Sequence, residues 1–329
     1  MCLPSYYSSR RGAGMSLRVM SGVVVAVLVL AVIFVFMGSG LDFDYIIPKR
    51  LERLAGILIG GVCVALSSIV FQTLVNNRIL TPAIMGYEAV YLMWQAMLLL
   101  ILGTHGMAAL GVGLNFLMSS FLILIYSWAM HRWLLSQGRR DVYQLLLVGL
   151  VLTMVLGTFT QFVQLRISPG EFSVFQNLSY TSFNRAQPET LLYAFLAVLA
   201  VCVVGYRYLS ELDVLLLGRE QAVSLGVNEP QRIRLYMALI AILVAVSTSL
   251  IGPTAFLGIF IANITYAITK SRLHRHTLPL GSVVAVIIFI TAQLLVERLF
   301  NYKTTVSILV NLVCGAYFLM LMVRVRTTL

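Results

Sequence analysis

The chain has 329 residues, of which 60% are hydrophobic and only 11% are charged, whereas a soluble globular domain carries about 25% charged residues. This composition excludes an ordinary water-soluble protein and indicates one that lies mainly in a lipid bilayer. The net charge of +11 does not indicate nucleic-acid binding, because the basic residues fall in short connections between apolar runs rather than on one face or tail.

The chain begins with a short polar stretch, residues 1–16, which we interpret as a cytoplasmic tail. Residues 17–329 are interpreted as one transmembrane domain. Basic residues before the apolar run at 19–37 resemble the start of a signal peptide, but the run is longer than a usual signal core and no A-x-A cleavage site follows. We therefore expect a retained first helix, with Met15 as an alternative start of translation.

Apolar windows between charged residues or Gly/Pro punctuation predict about ten transmembrane helices. The predicted spans cover residues 17–38, 54–75, 87–103, 107–130, 143–165, 190–209, 233–251, 254–269, 277–296 and 304–323. Most of the 23 basic residues fall in alternate connections, so the positive-inside rule predicts that both termini are cytoplasmic. The predicted fold is all-α, a polytopic membrane protein.

Two connections are long enough to have structure of their own, residues 166–189 on the outer side and residues 207–232 on the inner side. The inner connection carries apolar residues among charged neighbours, as short surface helices do. These apolar residues are Leu212, Leu215, Leu216 and Val223. The inner connection is the better candidate for docking a partner protein.

The placement of charge argues against several classes of protein. Ionisable residues lie at the edges of the predicted spans or between them, whereas proton and ion relays use buried ones. A secondary transporter or channel remains the alternative, because sodium sites can be built from carbonyls and hydroxyls. The sequence lacks G-x-x-x-x-G-K-[ST], so we do not expect it to hydrolyse ATP itself. The spacing of its four histidines and four cysteines indicates no catalytic site, metal site or bound cofactor.

Uncharged polar residues recur at helical spacing on one face of the fifth predicted span. They are Thr153, Gly157, Thr160, Gln161 and Gln164. Such a face either bonds and packs against a neighbouring helix or lines a pathway, and the sequence leaves both interpretations open. The same choice applies to Gln72, Asn263, Gln293 and Asn311.

Four stretches carry a recognisable pattern. Residues 46–91 contain spaced arginines, a glutamine and an Asn/Pro/Gly turn, at Arg50, Arg53, Gly61, Gln72, Asn77, Pro82 and Gly86. The others are LLLGREQAVSLGV at 215–227, GPTAFLG at 252–258 and HRHTLP at 274–279. Together they resemble the permeases of ATP-binding-cassette (ABC) importers for ferric siderophores, haem and cobalamin. Arg78 replaces a proline of that family's pattern, one of several departures that resemble a divergent siderophore branch.

The resemblance implies a bacterial cytoplasmic (inner) membrane complex of two permeases, two ATPases that hold ATP and Mg, and an external binding protein. A ferric siderophore is the expected cargo, with haem and cobalamin as alternatives, and a heterodimer of permeases is favoured over a homodimer. Membrane lipid is the other expected contact. We do not expect enzymatic activity from this chain.

The resemblance also implies roles for particular residues. The ATPase coupling loop would contain Leu216, Gly218, Glu220, Ala222, Leu225 and Gly226. The binding protein would dock on Arg50, Arg53 and Arg298. The translocation path would include the polar face of the fifth span.

Overall fold

The computed structural model describes residues 17–37, 42–136, 142–254, 256–269, 271 and 273–326. The predicted tail at 1–16, with the alternative start at Met15, lies outside the described residues. The described part forms twelve α-helices: α1 (Leu17–Phe36), α2 (Ile46–Val75), α3 (Tyr87–Ser136), α4 (Val142–Gln164), α5 (Pro169–Leu178), α6 (Pro188–Arg207), α7 (Leu209–Leu215), α8 (Arg219–Ser224), α9 (Glu229–Ile251), α10 (Leu257–Ile268), α11 (His274–Arg298) and α12 (Val306–Arg326). Short 3-10 helices cover Pro82–Met85 and Phe183–Arg185.

Six of the described helices, α2, α3, α4, α6, α9 and α11, are long and apolar enough to cross a membrane. With 50 residues, α3 is far longer than the ~20 residues that cross a bilayer, and its backbone leaves helical geometry at Gly103 and Gly111. It therefore covers the two spans predicted at 87–103 and 107–130. Shorter apolar stretches lie in α1, α10 and α12. The all-α membrane fold is confirmed, while the count of ten and the orientation of the termini stay predictions.

The core of the bundle is formed by α2, α9 and α11. More than half of the apolar window of each is buried, against 22% or less for α3, α4 and α6. Glycines let these helices approach closely. A Cβ at Gly60 would lie 2.7 Å from Ile251 Cδ1 of α9, and one at Gly61 would lie 3.2 Å from Val286 Cγ2 of α11. The exposed faces of α3, α4 and α6 are left for lipid or a partner.

The contact between α10 and α2 gives a stability prediction. A Cβ at Gly258 would overlap Ser68 Oγ, so Gly258→Ala is expected to lower the free energy of unfolding by about 1–3 kcal/mol through overpacking. Unfolding in detergent by heat or denaturant measures this change. Gly22→Ala is the matched control, because nothing lies within 4 Å of its added Cβ. An equal fall in the free energy of unfolding in both variants would contradict the close contact of α10 with α2 at Gly258.

Candidate functional site

Two of the three predicted docking arginines, Arg50 and Arg53, face one buried carboxylate that sequence reasoning did not single out. Arg50 and Arg53 lie one turn apart on α2, and their guanidinium groups are 3.8 Å and 3.6 Å from the carboxylate of Glu297 on α11. Gln293 Nε2 donates to the same carboxylate at 3.0 Å. The Glu297 side chain is only 4% exposed, so these partners balance a charge that would otherwise be costly to bury.

The same arginines close the end of α1. Arg50 Nη1 donates to the carbonyl oxygens of Phe34 at 2.6 Å and Met37 at 2.9 Å, and Arg298 also donates to the Met37 carbonyl. These carbonyls lie in or next to the last turn of α1, where helix carbonyls lack intrahelical partners. Arg50 therefore joins α1, α2 and α11, with only 11% of its side chain exposed. Arg53, at 29%, and the exposed Arg298 keep more surface for a partner.

The predicted coupling loop forms a compact surface segment, Leu216–Gly226, which we call the coupling segment. It contains α8, preceded by Gly218 at φ 99° and followed by Gly226 at φ 81°, values that favour glycine. Ala222 is fully buried and Glu220 is exposed. Three apolar side chains are more than half exposed, those of Leu217, Val223 and Leu225. An exposed apolar patch beside a charge is typical of a docking surface.

A hydrogen-bonded chain ties the preceding helix, α7, to the core. The backbone N–H of His274 donates to Asp213 Oδ1 at 2.8 Å, and His274 Nδ1 lies 2.5 Å from the same oxygen. On the other side of the ring, Nε2 is 2.8 Å from Thr73 Oγ1, which lies 3.0 Å from the Ile69 carbonyl. The Thr73 hydroxyl has one hydrogen, and when it donates that hydrogen to the Ile69 carbonyl its oxygen can accept from His274 Nε2.

The electrostatics of Asp213 agree with this chain of bonds. Partial burial alone would raise the pKa of Asp213, but the hydrogen bonds and charge of His274 outweigh burial and hold that pKa below its ordinary value. A second tie joins α7 to α9, where Arg232 forms an ion pair with Glu211 and stacks over Tyr208 at 4.0 Å. Helix α7, which leads into the coupling segment, is thus held to α2, α9 and α11.

The five pathway candidates lie on α4, but their surroundings differ. Thr153 Oγ1 bonds its own helix at the Gly149 carbonyl (2.7 Å) and the Ile84 carbonyl of the Pro82–Met85 turn (3.3 Å). Thr160 is buried and bonds the Leu156 carbonyl at 2.8 Å. Gln161 is exposed, whereas Gly157 and Gln164 are half-buried. The Thr153 hydroxyl therefore bonds the neighbouring Pro82–Met85 turn, while the exposed Gln161 amide can face a pathway or a partner. That the polar face of α4 lines a pathway stays a prediction.

Thr153 also lines a cavity of about 550 Å³ between the 79–84 segment, α4, α10 and α12, which we call the central cavity. Its walls are mostly apolar, with polar groups at Thr81, Asn263 and Asn311. The two asparagines are among the span residues singled out from the sequence. A few polar groups in an apolar cavity are typical of a site that orients a large ligand.

Comparison with known proteins decides the family. Residues 13–324 match the model of the FecCD transport family. The chain belongs to that family. It is 33% identical over 292 residues to the petrobactin import system permease protein YclO of Bacillus subtilis (strain 168), covering 89% of this chain and 92% of YclO. The petrobactin import system permease protein YclN of the same organism is 21% identical, covering 91% of this chain and 96% of YclN.

A solved structure supports the fold independently. A metal-chelate type ABC transporter in an inward-facing conformation superposes with a TM-score of 0.81 at 20% identity, covering 93% of this chain and 99% of that one. The chain is thus the membrane permease of an ATP-driven ABC importer and a multi-pass protein of the bacterial cytoplasmic membrane. These findings confirm the predicted family and function class.

Within the described residues, no group of three His, Cys, Asp or Glu is placed to hold a metal.

Proposed function

We propose that this chain transports a ferric siderophore, in a complex with a second, different permease, two ATPases and an external binding protein. The observation that carries the proposal is the 33% identity with YclO across 89% of this chain, because YclO is named as a petrobactin importer. YclN, a second relative in the same organism, carries the same transport name, which supports pairing of two different permeases. ATP and Mg would be bound by the ATPases.

In this proposal the chain crosses the membrane about ten times, with both termini in the cytoplasm and the domain beginning at residue 17. The two halves of α3 and the shorter helices α1, α10 and α12 supply the spans beyond the long ones. The coupling segment then faces the cytoplasm and the arginine pair of α2 faces outward, as the distribution of basic residues favours. The cargo would pass along α4 and the central cavity.

The coupling segment is proposed to dock an ATPase through its exposed apolar patch and Glu220. Glu220→Arg is expected to lower binding-protein-stimulated ATP hydrolysis by about tenfold, since like charge or a lost pair at an interface costs roughly 1–2 kcal/mol or more. Affinity for the binding protein should stay unchanged. Ser210→Ala on α7, also exposed, is the control. Normal stimulation in Glu220→Arg would remove this role.

Arg53 and Arg298 are proposed to receive carboxylates of the binding protein, while Arg50 holds α1 in place. Replacing both Arg53 and Arg298 by Glu should weaken docking by about tenfold or more and flatten its dependence on salt, because rim charges act mainly on association rate. Biolayer interferometry at low and moderate salt measures both quantities. Arg166→Glu adds the same kind of charge at an exposed site on another helix end. If Arg166→Glu weakens docking of the binding protein as much as the double replacement does, a specific docking site at Arg53 and Arg298 is contradicted.

A further inference from the structure

A second cavity lies beside the coupling segment, next to the ends of α2 and α10. It has a volume of about 490 Å³, and we call it the vestibule. Residues from five places line it: Gln72 and Asn76 at the end of α2, Arg78, Leu216 of the coupling segment, Tyr266 and Thr269 at the end of α10, and His274 and Thr277 at the start of α11. Its lining is largely polar, in contrast to the apolar central cavity.

Two polar side chains that line the vestibule have no hydrogen-bond partner among the described residues. Gln72 is 2% exposed, and neither its Oε1 nor its Nε2 meets a hydrogen-bond partner among the described residues. Thr269 is 7% exposed, and its hydroxyl is likewise unpaired within the described part of the chain. A buried polar group left unpaired costs about 1–3 kcal/mol, so such groups usually serve a ligand or solvent. The Gln72 amide and the Thr269 hydroxyl are therefore available to bind a ligand or solvent in the vestibule.

The charge of the vestibule selects the kind of ligand. Arg78 lines it and stacks over the Tyr266 ring at 4.8 Å, an arrangement that positions a guanidinium. None of the described lining residues is acidic. His274 also lines the cavity, but its ring nitrogens already face Asp213 and Thr73. A cation, an amide N–H and hydroxyl donors together suit an anionic oxygen group.

The vestibule follows the central cavity along one helix. Phe260 and Asn263 of α10 line the central cavity, whereas Tyr266 and Thr269 line the vestibule. Residues three apart share a helix face, so the two cavities are served by consecutive turns of the same face. Ile79 lines the central cavity and its neighbour Arg78 lines the vestibule. A group leaving one cavity along α10 would meet the other next.

We propose that the vestibule binds the anionic oxygen groups, carboxylate or catecholate, of the ferric chelate as it leaves the central cavity. Arg78 supplies the charge, and the Gln72 amide donates a hydrogen bond. This inference rests on the proposed function, because it takes the cargo to be a ferric siderophore. It assigns to this chain a substrate contact at Arg78, where the family's pattern has a proline.

The test is direct binding of a defined anion to the purified complex in nanodiscs, without nucleotide or binding protein. Radiolabelled ferric citrate is the probe, measured by equilibrium dialysis at low and moderate salt. The intact complex should bind it in a salt-sensitive way. Arg78→Gln and Gln72→Leu should each lower the affinity by about tenfold or more. Gln72→Leu removes an unpaired amide, so it should not impair folding.

Arg132→Gln is the matched control, because Arg132 also stacks on an aromatic ring, that of Trp128 at 5.3 Å, but does not line the vestibule. Its affinity should equal that of the wild type. The proposal is overturned if the wild type does not bind the probe, if either vestibule variant binds normally, or if Arg132→Gln loses as much. ATP-driven uptake by the wild type is measured in parallel. If the wild type takes up its cargo but the two vestibule variants bind the probe with unchanged affinity, the role of the vestibule is rejected and the proposed function stands. If the wild type shows no ATP-driven uptake, the proposed function itself is rejected.

Discussion

Asp213→Ala is expected to destabilise the end of the bundle next to the coupling segment and to uncouple ATP hydrolysis from transport. The change leaves His274, which is 2% exposed, without the carboxylate that accepts from both its backbone N–H and its ring. Leaving these two buried donors unpaired costs about 1–3 kcal/mol each. Because α7 leads into the coupling segment, motion of a docked ATPase would no longer reach α2 and α11 through this contact.

A double-mutant cycle separates this pair from general damage. If Asp213 and His274 act through each other, Asp213→Ala with His274→Ala should be little worse than either change alone, a coupling of at least about 1 kcal/mol. The free energy of unfolding and the number of ATP molecules hydrolysed per cargo are both measured. Asp213→Asn, which keeps an acceptor oxygen, should recover part of the loss. Additive single losses would show that the two residues do not act through their contact.

Glu297→Ala is the second change with a large expected effect. It removes the carboxylate that Arg50 and Arg53 share, and it leaves two partly buried guanidinium groups without their anion. We expect the free energy of unfolding to fall by about 3 kcal/mol or more. The loss should loosen α1 as well, since Arg50 holds the end of that helix.

Hydrogen exchange at residues 30–37 and thermal unfolding in detergent measure these two consequences. Glu52→Ala is the control, because Glu52 pairs with Lys49, whose side chain is 49% exposed, and exposed pairs contribute about 0–1 kcal/mol. An unfolding free energy that falls no further in Glu297→Ala than in Glu52→Ala would contradict the role given to this carboxylate.

The sequence predicted the helices well because bilayer thickness imposes a length and a composition that can be read locally. The two segments at 87–103 and 107–130 were distinguishable because the stretch GTHG at 103–106 interrupts an otherwise apolar run. The backbone leaves helical geometry at Gly103, as predicted there, and also at Gly111 inside the second segment. The division of the inner connection into α7 and α8 was less visible, since it depends on Gly218 taking a positive φ. Surface segments of this length carry too few residues for a strong periodic signal.

The contacts that build the candidate site could not be derived from local pattern. Asp213 and His274 are 61 residues apart in the chain, and Arg53 contacts a carboxylate on α11. A Glu-Arg pair at the end of the eleventh helix was a usable signal for Glu297, because an acid at a span edge next to a basic cluster needs a partner. The vestibule offered no comparable signal. In the sequence, Gln72 resembles any amide that bonds a neighbouring helix, and only the three-dimensional structure shows that it has no such partner among the described residues.

The most direct test of the account is uptake into proteoliposomes that contain this chain with a second permease and an ATPase from the same genome. Ferric petrobactin is supplied outside with the binding protein, and ATP is enclosed inside. The account predicts accumulation that requires ATP, the ATPase and the binding protein together. Equal accumulation by this chain alone, driven by an ion gradient and indifferent to ATP, would contradict it.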